Sequence, residues 1–226
     1  MRGWALLMLM VLACSNLTEG PGGVVELEIR SPDTTEVEVG ETLQLTARAL
    51  DRDGNPLDVP ITWLSSDPAL TVDNTGLVTA VVPGTAQLQA SVGSLTSAQI
   101  PLTAIVRADT LALAGDSVII VPAGVPASAP LVVQLLSFSQ AEPLPSRPVI
   151  YTVSFPLAVA GAPATLPGGV LVDTISTGTT GLDQSMTLSR VVGVPYADTA
   201  FVTVRSYRAS GTDVPGSGQR FIVLFQ

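Results

Sequence analysis

The chain has 226 residues, of which 46% are hydrophobic and 13% are charged. This balance supports a buried core and excludes a chain that is disordered throughout. The formal net charge is −9, and all ten basic residues are arginines, because the sequence contains neither lysine nor histidine. Nucleic acid is therefore not an expected partner, since its binding requires clustered positive charge.

Residues 1–13 have the layout of a secretory signal peptide. Arg2 supplies a positive charge, and Trp4 to Ala13 form a short apolar run that ends in a small residue. A run of this length is too short to span a bilayer as a helix. The sequence therefore predicts an exported protein whose first thirteen residues are removed.

The end of this segment, Val11-Leu12-Ala13-Cys14, resembles the lipobox of bacterial lipoproteins. The resemblance implies cleavage after Ala13 and lipidation of Cys14, the only cysteine of the chain. A membrane, reached through this lipid anchor, is thus the predicted partner. Ser15 implies, by the same resemblance, the outer membrane of a two-membrane bacterium. The alternative is an ordinary signal peptide that ends near a cysteine.

Residues 14–23 are small, polar and glycine-rich, which predicts a flexible tether. After them, apolar and polar side chains alternate with a period of two, as in strands with one buried face. The clearest stretches are Val25–Ile29, Leu43–Ala49 and Ala86–Val92. Glycine- and proline-containing turns separate these short strands, which is typical of a β-sandwich.

Four motifs in residues 24–106 resemble, in the same order, the bacterial Ig-like domain of group 2. They are Val39–Leu45, Ile61–Pro68, Val72–Thr79 and Pro83–Ala86. The second motif contains Trp63, which we expect to be the large buried residue between the two sheets. We expect Gly76 and Gly84 to take turn conformations that are costly for other residues.

Residues 107–226 have the same pattern of β-rich runs separated by proline and glycine, and they predict a second Ig-like sandwich. The runs are Leu131–Leu136, Arg147–Val153, Phe201–Arg205 and Arg220–Phe225. A proline-containing loop over 141–148 and the strand behind it resemble the invasin-type, group 1 bacterial Ig-like domain. The last run is apolar on both faces, so we expect it to lie inside a sheet or under a cover.

The predicted fold is therefore all-β, with two tandem immunoglobulin-like β-sandwiches after a cleaved signal peptide. No catalytic residue, metal site or cofactor is predicted. Without histidine, lysine or a thiol left after lipidation, the chain cannot form a Ser-His-Asp triad, a Ser-Lys dyad or a Cys-His pair. A hydrolase that uses carboxylates alone is a remote alternative.

The loop from Asp51 to Asp58 places several oxygen-bearing side chains around Gly54, as calcium loops do. Arg52 interrupts the series, and no bidentate glutamate follows at the position that closes an EF-hand loop. An ordinary turn between strands is therefore the favoured interpretation, with calcium binding as the alternative.

Two further clusters of polar residues allow either a solvated face or an interface. Asp33 and the acidic segment from Glu36 to Glu41 are predicted to form a solvated sheet face. Arg205, Tyr207 and Arg208 combine charge with an aromatic ring, as interfaces do, although a solvated outer face is favoured.

These features predict a non-catalytic lipoprotein of the cell envelope that acts as an Ig-like adhesion, binding or spacer module. A structural subunit of a surface assembly is the alternative. A protein or carbohydrate ligand is compatible with either function, and the sequence identifies none. The step from an Ig-like fold to adhesion rests on analogy, because this fold hosts many functions.

Overall fold

The computed structural model describes residues 21–30, 32–138, 142–156, 161–193 and 198–226. These residues are all-β apart from two short 3₁₀ turns, Pro21–Gly23 and Pro167–Gly169, so the predicted fold class is confirmed. Cys14 and the predicted signal peptide lie outside the described residues. Within them, no helix is long and apolar enough to cross a membrane.

The first sandwich is built from short strands. They are β1 (Glu26–Arg30), β2 (Glu36–Glu38), β3 (Thr42–Gln44), β4 (Thr46–Leu50), β5 (Pro56–Leu57), β6 (Thr62–Ser65), β7 (Leu70–Val72), β8 (Leu77–Ala80), β9 (Gly84–Val92), β10 (Leu95–Thr96) and β11 (Ile100–Ile105). One sheet has the order β10-β9-β11-β2, with β6 also paired to β9; the smaller sheets are β1-β4-β5 and β3-β8-β7.

Strand β9 is central in the larger sheet, where it pairs with β10, β11 and β6, and its side chains alternate between core and surface. Ala86, Leu88 and Ala90 are buried on one face, as the alternation over 86–92 predicts. Trp63 of β6 lies directly opposite Ala90 and is only 8% exposed. The expectation that this tryptophan is buried is confirmed.

The run predicted as one strand over Leu43–Ala49 is instead two strands that belong to different sheets. Strand β3 pairs with β8, whereas β4 pairs with β1. The change of sheet occurs at Leu45, whose N–H donates to the carbonyl of Gly76 at 2.9 Å. The alternation of buried and outward side chains continues across this break, since Leu45 and Ala49 are both buried.

The second sandwich follows the same plan. Its strands are β12 (Thr110–Leu113), β13 (Val118–Val121), β14 (Val133–Ser137), β15 (Glu142–Pro143), β16 (Pro148–Ser154), β17 (Ala164–Thr165), β18 (Val172–Ser176), β19 (Leu182–Asp183), β20 (Ser189–Arg190), β21 (Thr199–Arg205) and β22 (Arg220–Phe225). One sheet has the order β13-β22-β21-β16-β18, and the other contains β12-β14-β15 with β19 beside β14; β17 and β20 form a small ribbon.

The last strand lies inside its sheet, with β13 on one side and β21 on the other. This position confirms the expectation drawn from its two apolar faces. The β13–β22 pair is parallel, and so is the β2–β11 pair of the first sandwich. Every other pair of strands among the described residues is antiparallel.

A buried hydrogen bond joins the two sheets of the second sandwich. The hydroxyl of Tyr151 in β16 donates to Oδ2 of Asp183 in β19 at 2.6 Å. The other oxygen of Asp183 accepts from the N–H and hydroxyl of Ser185. Burial has the largest effect on the pKa of Tyr151 and, together with the hydrogen bond to Asp183, holds it far above its usual value. The pair therefore has the character of a structural contact in the core.

Buried apolar side chains form two separate cores. One draws on residues between Val24 and Ala104, and the other on residues between Ala108 and Phe225. The segment that links them is short, so the end of β11 and the start of β12 lie close together along the chain. This geometry brings polar residues of both sandwiches to a common junction.

Candidate functional site at the junction of the two sandwiches

A carboxylate of the first sandwich is fully buried where the two sandwiches meet. In β2 the side chain of Val37 points into the core, so its neighbours Glu36 and Glu38 point away from it. Glu38 is nevertheless 0% exposed. The N–H of Ala108, in the linking segment, donates to Glu38 Oε2 at 3.0 Å. Residues beyond the first sandwich therefore cover this side chain.

Arg147, which precedes β16, is the first of two cations of the second sandwich at the junction. Its Nη1 lies 3.2 Å from Glu38 Oε1, and its Nη2 donates to the carbonyl of Val106. The Oε1 atom makes no hydrogen bond of good geometry among the described residues, so its contact with Arg147 is an ion pair only.

The backbone before Arg147 has an uncommon conformation. Ser146 has a φ of 58°, a left-handed value that residues other than glycine seldom adopt. The turn is held by Thr177, whose carbonyl accepts the N–H of Ser146 at 2.8 Å and whose hydroxyl accepts the N–H of Arg147 at 3.0 Å. The neighbouring loop thus fixes the direction in which Arg147 leaves the chain.

Arg208, beyond β21, is the second cation. Its Nε donates to the carbonyl of Ala108 at 3.0 Å and lies 3.6 Å from Glu38 Oε2. Its Nη1 donates to Glu41 Oε1 at 3.3 Å. Two carboxylates from the first sandwich therefore face two guanidinium groups from the second, and the four charges balance.

Burial has the largest effect on Glu38 and raises the pKa of its carboxyl above the ordinary value of 4.5. The negative charge of Glu41 raises this pKa further. The N–H of Ala108 and the positive charges of Arg147 and Arg208 act in the opposite direction but do not outweigh burial. The partners of Glu38 thus stabilise its charged form, but they do not fully offset the desolvation cost of its burial.

The junction corrects two sequence predictions. The segment from Glu36 to Glu41 was expected to be a solvated sheet face, yet Glu38 is buried and Glu41 is paired. Arg208 was expected on a solvated outer face, yet its side chain is 17% exposed and turns into the junction. Arg205 does remain at the surface, paired with Asp213. Alternation predicts the face of a strand, but it carries no information on what covers that face.

A cleft of about 430 Å³ opens beside the junction, between the segment from Asp33 to Gln44 and the loop from Ala209 to Gly211. Glu36 and Glu41 are among its lining residues. Glycosidase chemistry needs two carboxylates at the substrate, one with a raised pKa. The carboxyl with the raised pKa here is Glu38, which is fully buried and so cannot meet a substrate in this conformation.

The loop considered for calcium is closed by its own side chain. Oδ1 of Asp51 accepts the N–H groups of Asp53 and Asn55 at 2.9 and 2.8 Å, and Oδ2 accepts from the amide of Asn55. These bonds hold the pKa of Asp51 below its usual value. In the described part of the chain, no group of three or more carboxylate or thiol side chains is placed to hold a metal ion.

Backbone conformation and close packing distinguish Gly76 from Gly84, the two glycines for which turn conformations are expected. Gly76 has a φ of 82°, and a Cβ there would lie 2.6 Å from the carbonyl oxygen of Leu45, so the expected turn conformation is confirmed. Gly84 instead begins β9 and has no left-handed φ. It is required for a different reason, because a Cβ there would lie 2.8 Å from that of Ala69.

The tryptophan strand, the turn at Gly76 and the close approach at Gly84 stand in the order that the sequence motifs predict. Residues 28–103 match the bacterial Ig-like domain (group 2). This match confirms the group 2 resemblance within 24–106. The group 1 resemblance of residues 107–226 and the lipoprotein resemblance of the N-terminus stay predictions.

Several solved structures match this chain over most of its length. The adhesin InvE of Yersinia pseudotuberculosis is 17% identical, with a TM-score of 0.43, and the match covers 92% of this chain and 61% of that one. Fibronectin(III)-like modules of Clostridium thermocellum CbhA are 16% identical, with a TM-score of 0.38 and coverages of 88% and 94%. Domains 4 and 5 of the S-layer protein SbsC are 21% identical, with a TM-score of 0.32 and coverages of 89% and 98%.

No curated protein matches the chain. The chain spans about 61% of the length of the InvE chain that it resembles. The group 2 match, together with the all-β fold, identifies residues 28–103 as similar to a bacterial Ig-like module.

Proposed function

We propose that this protein is a non-catalytic lipoprotein of the bacterial cell envelope. A lipid on Cys14 anchors it to the outer membrane, and residues 14–23 tether the body to the anchor. The two sandwiches, 24–106 and 107–226, act as a stiff spacer that holds a binding surface away from the membrane. The ligand is a protein or a carbohydrate. The stiff-spacer part of this proposal is carried by one observation, the buried carboxylate of Glu38 at the junction.

Glu38 favours a fixed arrangement of the two sandwiches. A buried charge is tolerated only where partners supply hydrogen bonds and opposite charge. The partners of Glu38 are Ala108, Arg147 and Arg208, all beyond the first sandwich. Rotation of one sandwich against the other separates these groups. Linked domains move relative to one another by default. The contacts at the junction oppose such motion here, which supports a stiff spacer.

The distance between the two sandwiches tests this stiffness. Spin labels at two exposed strand positions, Thr71→Cys and Thr174→Cys, are introduced into the full chain with Cys14→Ser. We expect a narrow distribution of label distances. Glu38→Ala broadens the distribution, whereas Glu28→Ala, which removes an exposed ion pair of the first sandwich, leaves it narrow. A broad distribution in the protein with Glu38 intact refutes the stiff spacer.

Lipidation is tested separately. The chain is expressed in a two-membrane bacterium beside its Cys14→Ser variant, and both are examined by membrane fractionation and intact mass. The expected result is association with the outer membrane and an added diacylglyceryl mass, both lost in Cys14→Ser. A soluble, unmodified protein removes the anchor from the proposal, and the label distances still decide the stiffness.

A further inference from the structure

Strand β13 is an apolar edge of the second sandwich. Val118 and Ile120 are 47% and 55% exposed. The carbonyls of Ser117 and Val121 accept N–H groups of Ile222 and Gln226 in and beside β22. Alternate residues of a parallel strand bond to the same neighbour, so the backbone groups of Val118 and Ile120 point away from β22. No other strand of the described residues pairs with this edge.

The equivalent strand of the first sandwich is constructed differently. Strand β2 is also parallel to the last strand of its sandwich, but it carries the exposed Glu36 where β13 carries Val118, and its next outward residue, Glu38, is covered at the junction. Charged residues on an edge discourage pairing with another chain, and an uncharged apolar edge permits it. The second sandwich lacks this protection, and a groove of about 300 Å³ lies open along β13.

We propose that β13 pairs with β13 of a second copy of this chain, antiparallel and about a two-fold axis at Ile119. Val118 then lies opposite Ile120 of the partner, and the outward-facing backbone groups of these residues bond in both directions. Residues opposite each other in an antiparallel pair share a face, so the exposed apolar side chains meet. The ladder ends at Pro122, which has no N–H to donate.

Charge at the two ends of the strand favours this register. Asp116, which is exposed, falls opposite Pro122 of the second copy. At that end of β13 lies the guanidinium of Arg190, which donates to the carbonyls of Val121 and Pro122 at 3.0 and 3.4 Å. The two-fold axis therefore brings each Asp116 close to the Arg190 of the other copy. Between Ser117 and Pro126 the chain has no charge, so nothing along the strand opposes the contact.

The same pairing joins two apolar sheet faces. Ile222 lies beside Val118, and Leu224 beside Ile120. Phe201 lies beyond Ile222 on the next strand. A second copy placed edge to edge extends this surface across the two-fold axis, which shelters Val118 and Ile120 from water. The inference concerns the second sandwich alone, so it is independent of the proposed anchor and of the junction.

Sedimentation equilibrium of the full chain with Cys14→Ser tests the pairing. The weight-average mass is expected to rise from monomer to dimer with concentration. Ile120→Lys raises the dissociation constant at least about tenfold, because the two-fold axis applies the substitution twice. Leu64→Lys, at a position of the first sandwich that is 52% exposed, leaves it unchanged. A monomer at all concentrations, or an equal effect of both substitutions, overturns the proposal.

Cysteine pairing tests the register. Single variants Val118→Cys and Ile120→Cys, each with Cys14→Ser, are oxidised alone and as a mixture. Directly opposite residues lie within the Cα separation that a disulfide tolerates. The mixture is therefore expected to form linked dimers, and each variant alone to form few. Linked dimers from one variant alone, or none from the mixture, overturn the register.

Discussion

Gly76 has a left-handed backbone and no room for a side chain. A Cβ would lie 2.6 Å from the carbonyl oxygen of Leu45 and 3.0 Å from Trp63. Gly76→Ala is expected to lower the free energy of unfolding by about 2–4 kcal/mol, measured by urea denaturation. Gly54 has nearly the same φ, 81°, but nothing within 4 Å of a Cβ, so Gly54→Ala is expected to cost only about 1 kcal/mol. Equal losses contradict the role of close packing.

Glu38 makes the stability of the protein depend on pH in a direction that can be predicted. Its pKa is raised in the folded state, so its contribution to stability is fully present below the unfolded value of 4.5 and is lost as pH rises through the folded pKa. Glu38→Gln has no such titration. The charged groups that face this carboxyl are Arg147, Arg208 and Glu41.

The wild type is therefore expected to lose stability relative to Glu38→Gln as pH increases from 4.5 towards neutrality. Urea unfolding of both proteins across this range measures the difference. The exposed variant Glu28→Gln is the control and is expected to show no such trend. If the stability of the wild type instead rises relative to that of Glu38→Gln as pH increases, the result contradicts the raised pKa.

At the scale of strands, alternation predicted those strands that keep one buried face along their whole length. Strand β9 is the clearest case, with its buried residues at alternate positions over Ala86–Val92. Alternation could not predict the break at Leu45, because the same periodicity continues while the strand changes sheet. The pairing partner of a strand is a long-range property that its own side chains do not encode.

The junction was beyond prediction for a related reason. Glu38 and Arg208 are 170 positions apart in the sequence. Glu38 lies on the face of β2 that alternation marks as outward, and Arg208 lies beyond the end of β21. Nothing in either local sequence shows that the two residues cover each other. A signal that the sequence did contain was the short link near residue 107, which limits how far apart the two sandwiches can lie.

The hydrogen bond between Tyr151 and Asp183 ties two sheets of the second sandwich. Tyr151→Phe leaves a carboxylate oxygen of Asp183 buried without this donor, so the unfolding free energy is expected to fall by about 1.5–3 kcal/mol. Tyr207 is 40% exposed, and Tyr207→Phe is expected to change the unfolding free energy by less than about 0.5 kcal/mol. Urea denaturation measures both. A neutral Tyr151→Phe would show that the bond contributes little beyond packing.

At the scale of the whole molecule, the junction couples the unfolding of the two cores. Each core is separate, and domains without strong contacts unfold independently. Because the buried charge requires partners from the second sandwich, differential scanning calorimetry is expected to give one transition for the wild type. Glu38→Ala is expected to give two, and Glu28→Ala one. Two transitions in the wild type contradict the coupling.

The two parallel strand pairs, β2 with β11 and β13 with β22, have a consequence for a protein under tension. In each sandwich one strand of the pair lies near the start of the domain and the other is its last strand. A pull on the two ends of the chain drags these strands in opposite directions along their length. Their hydrogen bonds are then sheared together instead of opening one at a time, so each sandwich resists stretching. A pulling experiment in an optical trap is expected to show two abrupt extensions, one for each sandwich.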